Sequence, residues 1–147
     1  HAVSGAVVAD SGSKLGVGPS LEGALGGDID PVLSFMSKYD ILFHGDDHPH
    51  LETALGVIRG EGMRILERDL MSCNTFDVRD RLDEIEVPTL CIVGDQDNLT
   101  PPDLSAYLAE HLPAGEYAEV PDAAHMAMME NADSFNAQLD DFLARTQ

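Results

Sequence analysis

Two short loops carry the side chains best suited to acid–base chemistry. One reads Gly94-Asp95-Gln96-Asp97 and the other Pro121-Asp122-Ala123-Ala124-His125. Each follows an apolar or partly β-branched run, so each is expected beyond the carboxyl end of a strand. In a parallel sheet that rim is where functional groups gather. Neighbouring strands lie about 4.8 Å apart, so an Asp on one loop can meet the His on the other. A carboxylate beside an imidazole fixes its tautomer and stabilises its protonated form, as a general base requires. Spacing alone leaves the choice between Asp95 and Asp97 open.

Other chemistry-bearing clusters are explained more simply. His44-Gly45-Asp46-Asp47-His48-Pro49-His50 holds metal-binding side chains, but its spacing matches no zinc or manganese site and reads as a solvated loop. Gly16-Val17-Gly18 lacks the third glycine of a dinucleotide loop, since Leu21 stands there, and reads as flexible. Cys73 lacks the strand–turn–helix setting of a nucleophile, and Cys91 lies in an apolar run as a small core residue. Two cysteines make no disulfide framework, so a reducing, cytoplasmic setting is expected. His111 near a helix carboxyl end suits the helix dipole. Met126, Met128 and Met129 are expected in the core and a pocket wall.

The elements that must position the two loops follow from periodicity. Residues 2–9 predict a buried strand of a parallel sheet that breaks at Asp10-Ser11-Gly12. Residues 11–27 read as a loop. Asp30 followed by Pro31 predicts a helix start, with Ile29, Val32, Leu33 and Met36 at helical spacing. A short apolar segment covers 39–44. Two further helices, carrying Leu51, Leu55, Ile58 and then Ile65, Leu66, Leu70, break at Gly60-Glu61-Gly62. Residues 87–94 predict a buried strand entered through Pro88. Thr100-Pro101-Pro102-Asp103 predicts a capped helix with a stripe of Leu104, Tyr107, Leu108 and Leu112. A strand at 116–120 and a last helix with Phe135, Leu139, Phe142 and Leu143 follow. Strand–helix–strand–helix implies parallel strands, and hence an α/β fold.

Composition narrows the partners. The chain has 147 residues, 44% hydrophobic, with 27 acidic against 8 basic side chains and a net charge of −19. That apolar share can build a core, and the length suits one domain or a large part of one. A basic patch for nucleic acid, or for anionic membrane, is not available from eight scattered Lys and Arg. No apolar run approaches the roughly 20 residues of a membrane span, and no signal-peptide pattern opens the chain. Only two of the bases are Lys. Few lysines with many aspartates resemble proteins of salt-rich cytoplasm, where molar salt shortens the Debye length to about 3 Å. An ordinary acidic protein is the alternative.

Several stretches together resemble the α/β-hydrolase fold family. They are Phe76-Asp77-Val78-Arg79-Asp80-Arg81-Leu82 leading to Val87-Pro88-Thr89-Leu90, the loop Gly94-Asp95-Gln96-Asp97-Asn98-Leu99-Thr100-Pro101, and Ala124-His125-Met126-Ala127-Met128-Met129-Glu130. Phe135-Asn136 with Phe142-Leu143 is similar to the closing helix. Val3-Ser4-Gly5-Ala6-Val7-Val8-Ala9-Asp10-Ser11-Gly12 resembles the strand after the nucleophile helix. The resemblance implies a core strand and loop over 1–27, a helical lid over 28–75, and a carboxy-terminal core over 76–147. It implies that Asp97 is the catalytic acid, Asp95 a turn residue, and His125 the base. Leu33, Met36, Leu51 and Leu55 would shape an apolar pocket. Ala124 stands where the family usually has Gly, and Ala132 where it often has Pro.

The family's nucleophile motif Gly-x-Ser-x-Gly occurs nowhere in the sequence, for Gly18-Pro19-Ser20 is followed by Leu21-Glu22. In this fold the chain order is Ser, Asp, His, so the serine and most of the oxyanion hole are expected before residue 1. His44-Gly45 resembles an oxyanion loop but comes too late in that order. A chain that starts at His1 fits the same expectation: it reads as the carboxy-terminal half of an esterase-like serine hydrolase, inactive alone. The resemblance implies a small-molecule acyl substrate, the missing amino-terminal half as partner, and no metal or organic cofactor. The rivals are a carbon–carbon bond hydrolase or a haloperoxidase-like perhydrolase of the same fold, and a non-catalytic protein that completes a split fold. Half a fold would also expose a sheet edge, a route to self-association.

Overall fold

Three parallel strands form the sheet in the order β1 (Ala6–Ala9), β2 (Thr89–Gly94), β3 (Gly115–Val120). This is a computed structural model, and it describes residues 3–38, 40–45 and 47–146. Ala2, Tyr39 and Asp46, on which parts of the expectations above fall, lie outside the described residues. Ala6 pairs with Thr89 and Ala9 with Ile92, while Thr89 pairs with Gly115 and Gly94 with Val120. The pairing brings the carboxyl ends of β2 and β3, and hence the two loops, to one rim.

β2 is buried along its whole length because both of its faces are covered. Leu90 and Ile92 point to one side, where Val120, Ala123 and Phe142 meet them. Cys91 points to the other side and packs with Leu82, Leu108, Ala109 and Leu112. A strand between two helical layers needs apolar residues at successive positions, which is why this segment reads as an unbroken apolar run. Helix α5 (Pro102–His111) forms one layer and α7 (Ala132–Thr146) the other. The short α6 (Ala127–Glu130) follows β3 and leads into α7.

β1 differs from its expectation. Among the described residues only β2 pairs with it, and Val3 and Val7 are 67% and 41% exposed. Its apolar side chains are therefore half covered at an open sheet edge.

The segment between β1 and β2 is helical, with α1 (Pro19–Glu22), α2 (Ile29–Met36), α3 (Leu51–Glu61) and α4 (Met63–Cys73), followed by a 3₁₀ turn over Arg79–Glu84. α1 lies in a stretch expected to be loop. It forms because Pro19 pre-sets the first turn and Leu21 is buried in the helical module. α2 is capped by Asp28, whose side chain accepts from the Asp30 N–H, two residues before the expected cap. Pro31 still fits, because first-turn N–H groups have no intrahelical partner. Gly62, at φ +81°, makes the break between α3 and α4. Val32, Met36, Leu42, Phe43 and Leu51 form the module's own core.

Two helix faces depart from the sequence stripes. On α5 the buried residues are Ser105, Leu108 and Ala109, whereas Tyr107 turns outward and stacks on His111 at 3.8 Å. On α7 only Phe142 is buried, and Leu143 is 40% exposed. Among the described residues no helix is long and apolar enough to cross a membrane.

Candidate active site

Asp97 sits three residues past the end of β2's last residue, Gly94, in a turn closed by the Asp97 N–H donating to the Gly94 carbonyl. Its Oδ1 accepts from the backbone N–H groups of Leu99 and Thr100, both at 2.8 Å. This is the Asx type of turn, in which a short carboxylate replaces a backbone acceptor. Oδ2 is left for side chains. It lies 3.0 Å from His125 Nδ1 and 2.8 Å from the Thr100 hydroxyl. The structure thus brings Asp97, and not Asp95, against His125. Asp95 instead serves the turn, its Oδ1 accepting from the Ala123 N–H at 3.4 Å.

The Asp97 side chain is wholly buried, while that of His125 is 22% exposed. A dry carboxylate and an imidazole that reaches solvent suit a pair in which one member orients and the other reacts. With Nδ1–H donated to Asp97, the neutral ring presents Nε2 as an acceptor, the arrangement of a general base.

Three residues not singled out from the sequence build the surroundings. Thr100, expected as the cap of α5, is displaced from that position by Pro101. Its hydroxyl turns back to Asp97, to the Asp10 carbonyl at 2.8 Å and to His125 Nδ1 at 3.1 Å. The spacing Asp-x-x-Thr was the available signal. Asp10 ends β1 with φ +46° and is 6% exposed. Its Oδ1 accepts from the Gly94 N–H at 3.0 Å, and its buried Oδ2 has no hydrogen-bond partner among the described residues. Burial pushes the Asp10 carboxyl up to about 6, with Asp97 and Glu130 adding to the rise and the Gly94 N–H and His125 opposing it. Glu130 accepts from the Ala124 N–H at 2.7 Å and from the His44 N–H at 2.5 Å. It clips the helical module to the histidine loop, as does the Met126 N–H on the Leu42 carbonyl.

His125 opens on a cavity of about 580 Å³. Its apolar wall includes Leu15, Val17, Leu21, Phe35, Ile41, Leu70, Leu99 and Leu104, with Asp10, Ser11 and Thr100 near the imidazole end. None of Leu33, Met36, Leu51 and Leu55 lines it. Met36 and Leu51 are spent in the module's core, and Leu33 and Leu55 border a separate polar hollow between α2 and α3, beside the Arg59–Asp30 ion pair. On α2 the helical stripe marks the side that meets other helices, and the cavity is reached instead by Phe35, between the stripe residues. Cys73 and Gly16-Val17-Gly18 also line the cavity. Met126 packs against the module, but Met128 and Met129 are 39% and 42% exposed, outside core and pocket.

Among the described residues no three His, Cys, Asp or Glu side chains are placed to hold a metal ion. In the 44–50 loop His48 stacks on Phe43 at 4.3 Å, and His44 Nδ1 meets Asp40 at 3.1 Å. Cys91 is buried, and burial pushes its thiol up to about 11.

This geometry has relatives. The family model described as "alpha/beta hydrolase fold" matches residues 63–132. Over 78 residues the chain is 35% identical to the pimeloyl-[acyl-carrier protein] methyl ester esterase of Neisseria meningitidis, a match to 53% of this chain and 30% of that protein. It is 44% identical over 64 residues to RutD of Azorhizobium caulinodans, whose name assigns it provisionally to carbamate hydrolysis; that match covers 44% of this chain and 24% of the other. The matches span less than a third of these relatives' length. A solved thermophilic esterase superposes with a TM-score of 0.81 and 28% identity, over 97% of this chain and 56% of that one. The enol-lactonase of Burkholderia xenovorans shares the fold, with a TM-score of 0.73 at 21% identity over 95% of this chain and 56% of the other. Parallel sheet, loop order and a structural likeness over nearly the whole chain converge, and the chain has the α/β hydrolase fold.

Proposed function

We propose that this chain supplies the acid and the base of a serine hydrolase that acts on a carboxylic ester or related acyl substrate, the serine lying on a segment that precedes residue 1. The reading is carried by the Asp97 Oδ2–His125 Nδ1 pair, buried at the carboxylate and open at the imidazole. The esterase names among its relatives support the reaction type. In the proposed reaction His125 Nε2 takes the serine proton as Oγ attacks the acyl carbonyl. The same proton passes to the departing alkoxide, and water then repeats the cycle on the acyl-serine. Asp97 stays ionised and holds the imidazolium in place.

The apolar cavity beside His125 suits the hydrocarbon part of a small ester. The open edge of β1 is where a preceding segment would add its strands. The reaction needs no metal or organic cofactor.

The test uses the protein expressed from its full reading frame, assayed with nitrophenyl esters and labelled with a fluorophosphonate. His125→Ala and Asp97→Asn should each lower kcat about a thousandfold or more. The label should map to a serine before residue 1, within Gly-x-Ser-x-Gly. A label on Ser11 or Ser20, or turnover untouched by His125→Ala, overturns the proposal.

A further inference from the structure

Thr100 presents one hydroxyl proton to a crowded corner of the site. Its Oγ1 lies 2.8 Å from Asp97 Oδ2, 2.8 Å from the Asp10 carbonyl oxygen and 3.1 Å from His125 Nδ1. A hydroxyl carries one proton and two lone pairs, so it cannot donate fully to both oxygens. The proton goes to the stronger acceptor. A hydrogen bond to an ionised carboxylate is roughly twice as strong as one to a neutral carbonyl, and the wholly buried Asp97 side chain has little water to compete. The Nδ1–H of His125 then faces two oxygens at nearly equal range, Asp97 Oδ2 at 3.0 Å and Thr100 Oγ1 at 3.1 Å. Thr100 is itself held from behind, because its backbone N–H donates to Asp97 Oδ1. Asp97 therefore grips Thr100 through both of its carboxylate oxygens.

We propose that Thr100 is a positioning residue for the Asp97–His125 pair: its hydroxyl donates to Asp97 Oδ2, drawing off part of the carboxylate's charge, while its oxygen steadies the imidazole Nδ1–H. The proposal rests on Asp97 and His125 acting as set out above. Charge drawn off Asp97 is charge withheld from the imidazolium, so loss of the hydroxyl would strengthen the carboxylate's hold on the protonated ring. The charged groups around this corner are Asp97 on the acid loop, Asp10 after β1 and Glu130 on α6. Thr100 is the neutral counterweight among them.

The experiment is the pH profile of kcat/KM for the protein expressed from its full reading frame, compared with Thr100→Val and Thr100→Ser. Thr100→Val keeps the shape and deletes the donor. Its acid limb should move to higher pH by about half a unit or more, so that activity below the optimum falls at least about threefold further than activity above it. Thr100→Ser keeps the hydroxyl and should return the limb to its wild-type position. Thr100→Ala gives a second reading if the valine variant does not fold. A limb that stays in place in both hydroxyl-free variants, with only a general loss of rate or stability, overturns the proposal. So does a shift to lower pH, which would make the hydroxyl an acceptor alone. An inactive wild type would instead count against the function proposed above, which separates the two failures.

Discussion

Gly94 lies so close beneath the carbonyl oxygen of Ala123 that no β-carbon fits between them. The Ala124 carbonyl crowds the same point. Here the last residue of β2 touches the loop that carries His125, and the contact is backbone on backbone, so nothing flexible can yield. The separation of the acid and histidine loops is thus set by a missing side chain. Gly94→Ala should cost about 3 kcal/mol or more in urea denaturation, above the usual range for overpacking, because two carbonyls must move. Gly56→Ala is the control. Gly56 lies in α3 with open space around it, so alanine there should stabilise by roughly 0.5–1 kcal/mol. Equal effects at the two sites would show that the crowding at Gly94 is not what holds the loops.

Asp10 makes stability depend on pH in a defined direction. Its carboxyl is raised from an ordinary 3.8 to about 6, first by burial. Below pH 3.8 it is protonated in both folded and unfolded chains, and its ionisation exerts no penalty. Between 3.8 and 6 the unfolded chain sheds the proton more readily, so stability is lost as pH rises, by about 3 kcal/mol once the folded carboxyl has ionised. Asp10→Asn removes that titration. The melting temperature of the variant relative to wild type should climb steadily from pH 4 to pH 7 and then level. A difference that stays flat over this range would sink the assignment.

Phe142 is the buried anchor of α7, with Phe135 packed at the margin of the same core. Phe142 is 1% exposed, packs with Leu90, Ile92 and Val120, and its ring meets Gly5. Phe142→Ala should cost about 3–5 kcal/mol. Leu143→Ala, one residue on and 40% exposed, should change stability by less than about 1 kcal/mol. Comparable losses would mean that the outer face of α7 is covered in solution.

With 27 acids against 8 bases, most carboxylates have no cation to pair with, and the ion pairs that form, such as Arg79 with Asp77, are at the surface and worth little. Self-repulsion should therefore dominate in dilute buffer. We expect the melting temperature to rise from 0.05 M to 2 M KCl. No gain would favour an ordinary acidic protein over one suited to high salt.

How far the sequence revealed the site depended on what each residue packs against. β2 was legible because its burial on both faces forces an unbroken apolar run, and Pro88 marks its entry. The meeting of Asp97 and His125 followed from two loops at neighbouring strand ends, once the family resemblance chose Asp97 over Asp95. Asp10 was read only as a turn. Nothing local distinguishes an exposed turn aspartate from one buried against Gly94, 84 residues away in sequence. Thr100 was mistaken for a cap because its neighbours Pro101 and Pro102 look like a helix start wherever the helix begins. The cavity wall was missed because helical periodicity reports contact with any neighbour, and the module's own core claimed Met36 and Leu51.

The strands β1 and β2 pair directly although α1 to α4 all lie between them in sequence. Closing such a span grows costlier only with the logarithm of its length, about 0.6 kcal/mol for each doubling. Changes of length within that segment therefore leave the ladder register almost untouched, provided the contacts of Glu130 with His44 and of Met126 with Leu42 are kept. The wall of the chamber can thus change in length without moving the strands from which it hangs.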